Sequence, residues 1–414
     1  MKTTLLIALL QFAVPGLRAQ EFSTSTMRPL TLGEAYRLSE ARSEALAQQA
    51  EGIKQLEAAE RGLAAAFRPS FDLKASQSKQ QNSLSASKGY LYGSYSLFSG
   101  MRDYIAAKAA AARSDAARLG LERARQQLYL GVAQAHLNLF GAQREATIRQ
   151  EQLAVAARRI AELEARADIG RSRRSEVVAA RTQLAQDKAS FLDAVSAERL
   201  AQQALRFLTG LEDDLAPARV AVSRQAELSE YQALALRRPD LRALRRSKEA
   251  YDYLSEIADR GMWPSVDLTA DYYAVRRPMP APPARWDGAI ALTVPLYNGG
   301  ASAAGRAAAA AARRSAALAE QAAARQALSD VRSAFDEHRY AALREQSLAE
   351  ALALASENAA YQQEDYKLGL VTNLDVLNAL NTVLQTRLAL SQARINSAYT
   401  LLRLESAAGL EAKE

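Results

Sequence analysis

The chain is written twice. RPSFDLKA (Arg68–Ala75) returns as WPSVDLTA (Trp263–Ala270) after 195 residues, and YSLFSG (Tyr95–Gly100) returns as VPLYNG (Val294–Gly299) after 199. From there to TGL (Thr209–Leu211) and AGL (Ala408–Leu410) the 199-residue offset holds without a gap. A period that long means two copies of one structural unit, so any fold proposed for one half has to serve the other. The only length change falls in the tract Gln77–Gly89 and its counterpart Arg276–Arg285, polar in one copy and proline-rich in the other, which reads as a loop in both.

Each copy parses as helix, strand, loop, strand, very long helix, glycine turn, helix. No proline occurs between Pro69 and Pro217 or after Pro295, so two long stretches carry no strong helix breaker. Residues 103–166 and 302–365 are expected to form helices about 95 Å long at about 1.5 Å per residue. Their alanine content, including Ala307–Ala312, favours helix and lets neighbours approach closely. In the last helix Leu370, Leu377, Leu384 and Ala398 form one seven-residue series, and Leu374, Leu388, Ile395 and Leu402 another. A further series, Val376, Val383, Leu390 and Leu404, gives that helix a second partner, and Val132, Leu139, Ala146, Leu153 and Ile160 repeat the pattern earlier. These are coiled-coil seams, and so thin a hairpin has little core of its own, which implies association. Gly170 and Gly369 interrupt the two long helical runs at equivalent places.

The strands alternate. Val266, Leu268, Ala270 and Tyr272 interleave with Asp267, Thr269, Asp271 and Tyr273, and Ile290, Leu292, Val294 and Leu296 interleave with Ala289, Ala291 and Thr293. The first copy repeats this with Phe71, Leu73 and Ala75, then Leu91, Tyr95 and Leu97. Aromatic side chains lie near the strand ends, namely Tyr90, Tyr92, Phe98, Tyr272, Trp286 and Tyr297, as in the girdles of membrane barrels. Two readings stand at this point: a four-stranded sheet packed on its own helices, or strands that face lipid. Four strands are too few to close a membrane barrel, for which about eight are needed, and three chains would supply about twelve.

The remaining features mostly exclude. Residues 1–19, with Lys2 ahead of the apolar run Leu5–Val14 and small residues before Gln20, are expected to be a secretory signal. No other segment approaches the about 18 apolar residues of a membrane helix. There is no cysteine, hence no disulfide, thiolate metal ligand or acylated cysteine. The net charge of +7 is spread along helical faces with no basic block among aromatics, so no nucleic-acid partner is expected. His136 and His338 are not equivalent under the repeat and read as helix-face residues. No cofactor, metal site or catalytic constellation is expected. A passive periplasmic coiled-coil scaffold shares the heptads but has no need of amphipathic strands with aromatic ends.

With these motifs in hand, the order of elements, the PSFDL and PSVDL strands, YSLFSG and VPLYNGG ahead of the long helices, and YKLGLVTNLDVLNA (Tyr366–Ala379) resemble the TolC-like outer-membrane efflux proteins over essentially the whole chain after the signal. The resemblance implies a mainly α fold with a transmembrane β-barrel portion. It would be built as a homotrimer whose 12-stranded barrel continues into a 12-helix periplasmic cylinder. It divides the chain into an efflux-protein repeat at 20–216 and another at 217–414, and places it in the outer membrane of a Gram-negative bacterium, in contact with outer-membrane lipid. The implied partners are a periplasmic adaptor and an inner-membrane pump of RND, ABC or MFS type. The implied work is efflux of small toxic molecules, with protein secretion or metal-ion efflux as alternatives.

The same resemblance makes Ile169, Gly170, Arg171, Leu368, Gly369, Leu370 and Val371 candidate adaptor contacts at the hairpin tips. It also implies a closing contact between Glu176 and Tyr366 on neighbouring hairpins. Relatives carry an arginine where this chain has Val371, and Arg171, Arg173 or Arg174 could substitute for it. Asp375 admits two readings. Thr372 and Asp375 form the Thr-x-x-Asp pattern of a capping box, and a carboxylate there also suits the positive end of the helix dipole. In a trimer the same side chain would form a lumenal ring that attracts cations, weakened because Asn378 stands where relatives often have a second acid.

Overall fold

A computed structural model describes residues 28–79, 81, 85–220, 226–278, 280 and 284–410; the expected signal at 1–19 lies outside the described residues. In chain order the elements are β1 (Arg28–Leu30), α1 (Leu32–Arg42), α2 (Glu44–Ala64), β2 (Ser70–Ser78), β3 (Ala86–Phe98), α3 (Arg102–Asp168) and α4 (Arg174–Thr209). They continue as β4 (Leu215–Pro217), α5 (Leu228–Ala235), α6 (Pro239–Asp259), β5 (Ser265–Arg277), β6 (Trp286–Thr293), α7 (Ala301–Leu368) and α8 (Asn373–Ala408). The second set follows the order of the first. At 67 and 68 residues α3 and α7 each run about 100 Å.

Strand limits differ from those expected. The strands extend into the supposed loop tracts, β2 to Ser78, β3 back to Ala86 and β5 to Arg277, because cross-strand pairing continues there. The returning strand of the second copy stops at Thr293 rather than Leu296, just ahead of Pro295, which has no N–H to give a ladder. The short helices were also not separated in sequence. Ser43 ends α1 and caps α2, its side chain accepting from the Leu46 N–H at 3.3 Å.

β2, β3, β5 and β6 form one antiparallel sheet in that order. Register carries Leu73 to Leu91, Leu91 to Tyr272 and Tyr272 to Trp286, and it carries Tyr95 to Leu268 and Leu268 to Ile290. One face is therefore apolar across all four strands. The other carries Asp72, Lys74, Tyr90, Tyr92, Asp267, Thr269 and Asp271. No helix among the described residues packs over either face. The apolar side chains stand bare, Leu73 at 85% exposure and Ile290 at 70%, which removes the reading in which the sheet packs on its own helices. The outer edges of β2 and β6 have no strand beside them within the described chain.

The helices form a layer with α3 at its centre. Nearer the sheet α3 is flanked by α2, through Arg118–Glu57 at 2.7 Å, and by α6, through Arg242–Glu122 at 3.9 Å. Toward the far end it is flanked by α4 and α8, the latter through Arg387–Glu151 at 2.7 Å. Beyond α6 and α8 lies α7. Of the heptad positions, Val132, Leu139, Ala146, Ile160, Val376, Leu384, Leu390, Ile395, Ala398, Leu402 and Leu404 are buried, whereas Leu370 and Leu374, at the turn where the seam begins, are exposed. Leu192, Leu200 and Phe207 on α4, and Leu318, Leu354 and Tyr361 on α7, remain exposed.

Two clamps hold the middle of the layer. The parallel pair β1–β4 lays Leu30 and Leu215 against Val132, Leu139 and Leu205. Around the end of α8, Arg123 Nη1 donates to the Ser406 carbonyl at 2.8 Å, Gln126 Nε2 to Gly409 at 3.0 Å, and buried Arg238 to Asp240 and the Ala407 carbonyl. Cations suit the negative end of a helix dipole. His136 belongs to the first clamp: fully buried, it donates from Nε2 to the Leu30 carbonyl at 3.0 Å, and its Nδ1 has no partner among the described residues. Both histidines are thus packing residues in α3 and α7, and burial lowers the pKa of each.

The sign of the resulting pH dependence follows. A histidine whose folded pKa lies below its unfolded value leaves the unfolded chain holding more protons, so stability falls as pH drops through about 6.5. Thermal unfolding followed by circular dichroism is expected to show a lower Tm at pH 5.5 than at pH 8. The His136→Leu/His338→Leu double variant is expected to reduce that difference.

Candidate functional site at the hairpin tips

The far end of the layer consists of two helical hairpins turned by glycine. After α3, Gly170 sits at φ 74, with the Arg171 N–H donating to the Arg166 carbonyl at 2.8 Å. After α7, Gly369 sits at φ 78, with Leu370 donating to Asp365 at 2.9 Å. A Cβ on either glycine would meet nothing within 4 Å, so the requirement for glycine is the left-handed backbone and not space. Ile169, Leu368 and Leu370 project from these turns at 67, 74 and 71% exposure. Arg171 is exposed and Val371 half-buried, so the tip candidates do form the free ends of the molecule.

The second hairpin restarts with a complete capping box. Thr372 Oγ1 accepts from the Asp375 N–H, and Asp375 Oδ2 accepts from the Thr372 N–H at 2.8 Å and from its hydroxyl at 2.6 Å. The hydroxyl bond, followed by the backbone bond, holds the Asp375 carboxyl below the usual carboxylate range. The structural role of Asp375 is thus satisfied within the chain while the side chain stays exposed, with exposed Asn378 one turn further on.

Glu176 and Tyr366 are placed differently from the expected pair. Among the described residues no hydrogen bond joins them, and the Glu176 carboxylate accepts from Ser172 Oγ at 2.7 Å. Tyr366 is buried among Ile160, Leu163, Val177, Ala180 and Val376, where the two hairpins meet. Its ring lies under two cations, with the guanidinium of Arg159 at 4.3 Å and that of Arg166 at 4.8 Å. Arg159 also reaches buried Asn373 at the start of α8, donating from Nε at 3.2 Å and Nη2 at 2.8 Å to Oδ1. A guanidinium over a phenol face is held by the ring quadrupole, and more strongly where water is thin. Within the chain, Arg159 and Arg166 on α3 tie one hairpin to the other, both through the Tyr366 ring and Arg159 also through Asn373. The sequence signal was the seven-residue spacing of the two arginines, two turns along one face of α3.

At the other end of the molecule the aromatic residues divide by face. Tyr272 and Trp286 oppose each other on the apolar face at 56 and 71% exposure, and Tyr297 lies beyond β6 at 85%. Phe98 pairs with Val266 on the apolar side after an irregularity in β3. Tyr90 and Tyr92 instead lie on the polar face, Tyr90 5.2 Å from the Tyr273 ring and Tyr92 under the Lys74 ammonium at 3.3 Å. Their expected place at a lipid interface is corrected by register, which sets them beside Lys74 and Asp72.

The profile of the outer membrane efflux protein family matches residues 231–410. The outer membrane efflux protein BepC of Brucella suis biovar 1 (strain 1330) is 26% identical over 291 residues, covering 66% of this chain and 62% of BepC. The chain thus spans somewhat under two thirds of that relative's length. Among solved structures, CusC superposes with a TM-score of 0.84 at 18% identity, covering 92% of each chain. The outer membrane protein VceC of Vibrio cholerae gives 0.80 at 23%, covering 91% of this chain and 96% of VceC. The MtrE outer membrane channel of Neisseria gonorrhoeae gives 0.76 at 20%, covering 92% and 89%.

The capping box gives a local test. Thr372→Ala removes both bonds made by the Thr372 hydroxyl, the cap bond from the Asp375 N–H and the bond to Asp375 Oδ2, a loss of about 1 kcal/mol. Hydrogen exchange in the first turn of α8 is expected to quicken about fivefold, with the start of α4 unchanged.

Proposed function

We propose that this chain is a subunit of an outer-membrane exit duct, since residues 231–410 match the outer membrane efflux proteins and 92% of the chain superposes on CusC and 91% on VceC. The observation that carries the proposal is the bare sheet: an apolar face with two open edges, continuous with helices about 100 Å long. In a bilayer each unpaired backbone group at an edge costs several kcal/mol, so β2 of one copy has to pair with β6 of the next. The apolar side chains left exposed on α4 and α7 favour the same lateral contact between helical layers.

That contact is head-to-tail, and it closes as a ring. Two copies would make a barrel of about eight strands, whose interior side chains fill. Three make about twelve strands and leave a passage, so a homotrimer is the smallest assembly that serves as a duct. The repeats at 20–216 and 217–414 would each give it two strands and one long hairpin per copy. The apolar face then meets lipid, with Tyr272, Trp286 and Tyr297 at its margin, and Asp72, Asp267 and Asp271 face the lumen.

The far tips lie about 100 Å from the barrel on the periplasmic side. There the tips would meet an adaptor belonging to an inner-membrane pump, and the cargo would be small toxic molecules. The contact of Arg159 and Arg166 with Tyr366 would hold the hairpins together in the closed state, and Asp375 would give the constriction a cation preference.

Planar-bilayer recordings of the purified protein test this. Wild type is expected to show small, cation-preferring currents. Tyr366→Ala and Arg159→Ala are expected to raise the open fraction about fivefold or more, consistent with the loss of about 1 kcal/mol of partly buried cation–π contact. Asp375→Asn is expected to lower cation preference without that rise. Silence from wild type and every variant would sink the duct reading and return weight to a periplasmic scaffold.

A further inference from the structure

The layer is open along both long sides. α4 forms one side and α7 the other, and they run antiparallel, α7 toward the tips and α4 away from them. The chain itself shows how such helices meet, because under the repeat α3 corresponds to α7 and α8 to α4. Between α3 and α8, Glu151 and Arg158 line one groove with Leu380 and Arg387, and Arg387 holds Glu151 at 2.7 Å. Nearer the tips Asn373 of α8 accepts from Arg159. Residues 373, 380 and 387 therefore mark the face that α8 turns to α3.

Moved by 199 residues, that face becomes Arg174, Arg181 and Lys188 on α4. Glu151 and Arg158 become Glu350 and Glu357 on α7, with Glu364 one heptad further on. All six side chains are exposed. α4 thus presents three cations at seven-residue spacing, and α7 three carboxylates at the same spacing. The formed pair Glu151–Arg387 maps onto Glu350 and Lys188, with the same sign on each type of helix. The next level has diverged in both members at once: the closed seam sets Arg158 near Leu380, and the open sides carry Glu357 and Arg181. Exposed apolar side chains lie alongside, Val178 and Leu192 on α4, Leu354 and Tyr361 on α7. Arg174, Lys188 and Glu350 have no ion-pair partner among the described residues. The others have surface partners in their own copy, Arg181 with Glu164, Glu357 with the Tyr361 hydroxyl and Glu364 with Lys367.

We infer that Arg174, Arg181 and Lys188 of one copy pair with Glu364, Glu357 and Glu350 of the next, a charge ladder by which this chain selects a second copy of itself and fixes the register. The inference rests on the duct reading, which asks that copies join side by side. The ladder adds which chains join and at what height. Flanking charges of this kind set partner and orientation between paired helices, and they do so by repulsion as well as attraction. Setting α4 against the α3 face of another copy would bring Arg181 to Arg158. A slip of one heptad would leave one cation and one carboxylate of the ladder unpaired.

Because the chain has no cysteine, an introduced pair is read without background by a short bismaleimide. In outer-membrane fractions Lys188→Cys/Glu350→Cys is expected to cross-link between copies, giving dimers and trimers on denaturing gels. Glu151→Cys/Arg387→Cys is expected to cross-link within a copy, with no gain in mass. Arg174→Glu/Lys188→Glu and Glu350→Lys/Glu364→Lys are each expected to lower the trimer fraction about tenfold, and their combination to restore it. Arg181 stays in place in these variants because it also serves Glu164. Wild type and the combined variant, differently tagged and produced together, are expected to form mixed trimers about tenfold less often than random mixing, a bias that falls in 1 M salt. Absence of the Lys188→Cys/Glu350→Cys cross-link between copies overturns the inference even where the reversed variants fail to fold. Free mixing of wild type with the combined variant also overturns it and leaves the duct reading standing. Bilayer currents judge that reading separately: a cross-linked, self-sorting protein that passes no current would fail the duct and keep the ladder.

Discussion

An apolar sheet face with open edges cannot be satisfied by one copy of this chain, and much of the architecture answers to that constraint. In water the face would be an aggregation surface, and in lipid the edges would leave N–H and C=O groups unpaired. In the proposed duct, lipid on the face and a second copy at each edge would satisfy both demands together. The lateral order of the helices agrees with this. α3 is central and supported on both flanks, while α4 and α7 keep exposed leucines and aromatics. Sheet and helical layer are thus both unfinished in the sideways direction and finished along their length.

The long helices are held by local means. Alanine and heptad leucines make α3 and α7, but a hairpin about 100 Å long and two helices wide has little interior. The polar clamps at its middle supply position. His136 fixes β1 to α3, and Arg123, Gln126 and Arg238 take up the carbonyls at the end of α8 that the helix itself leaves unpaired. With the clamps near the middle, the two ends carry the surfaces that the chain leaves uncovered, the sheet face and edges at one end and the glycine turns at the other.

How much of this was legible in the sequence depended on range. The doubled motifs, the stretches without proline, the alternation of Leu268 and Asp267, and the turns at Gly170 and Gly369 are local patterns, and each became the element it indicated. The side of the sheet taken by Tyr90 and Tyr92 was not legible, because it follows from pairing with Lys74 and from irregularities within β3. The bond partner of Tyr366 was not legible either. Arg159 and Tyr366 are over two hundred residues apart in the sequence, and the packing of α3 against α8 brings their hairpins together. The short β1–β4 pair, three residues on each side, was missed for the same reason.

Duplication explains why the two tips differ. Once two hairpins share the burden of turning the chain, a glycine in the left-handed region is needed in both, but the side chains around it are free to diverge. One tip is cationic and its following helix has no side-chain cap bond. The other has a full capping box and carries Tyr366. Arg166 connects the two directly: its carbonyl accepts the turn bond from Arg171 at 2.8 Å, and its guanidinium lies 4.8 Å from the Tyr366 ring. A partner that shifts the first turn therefore shifts a residue that helps hold the second hairpin. The two turns are thus coupled through one side chain, with no longer relay needed between them.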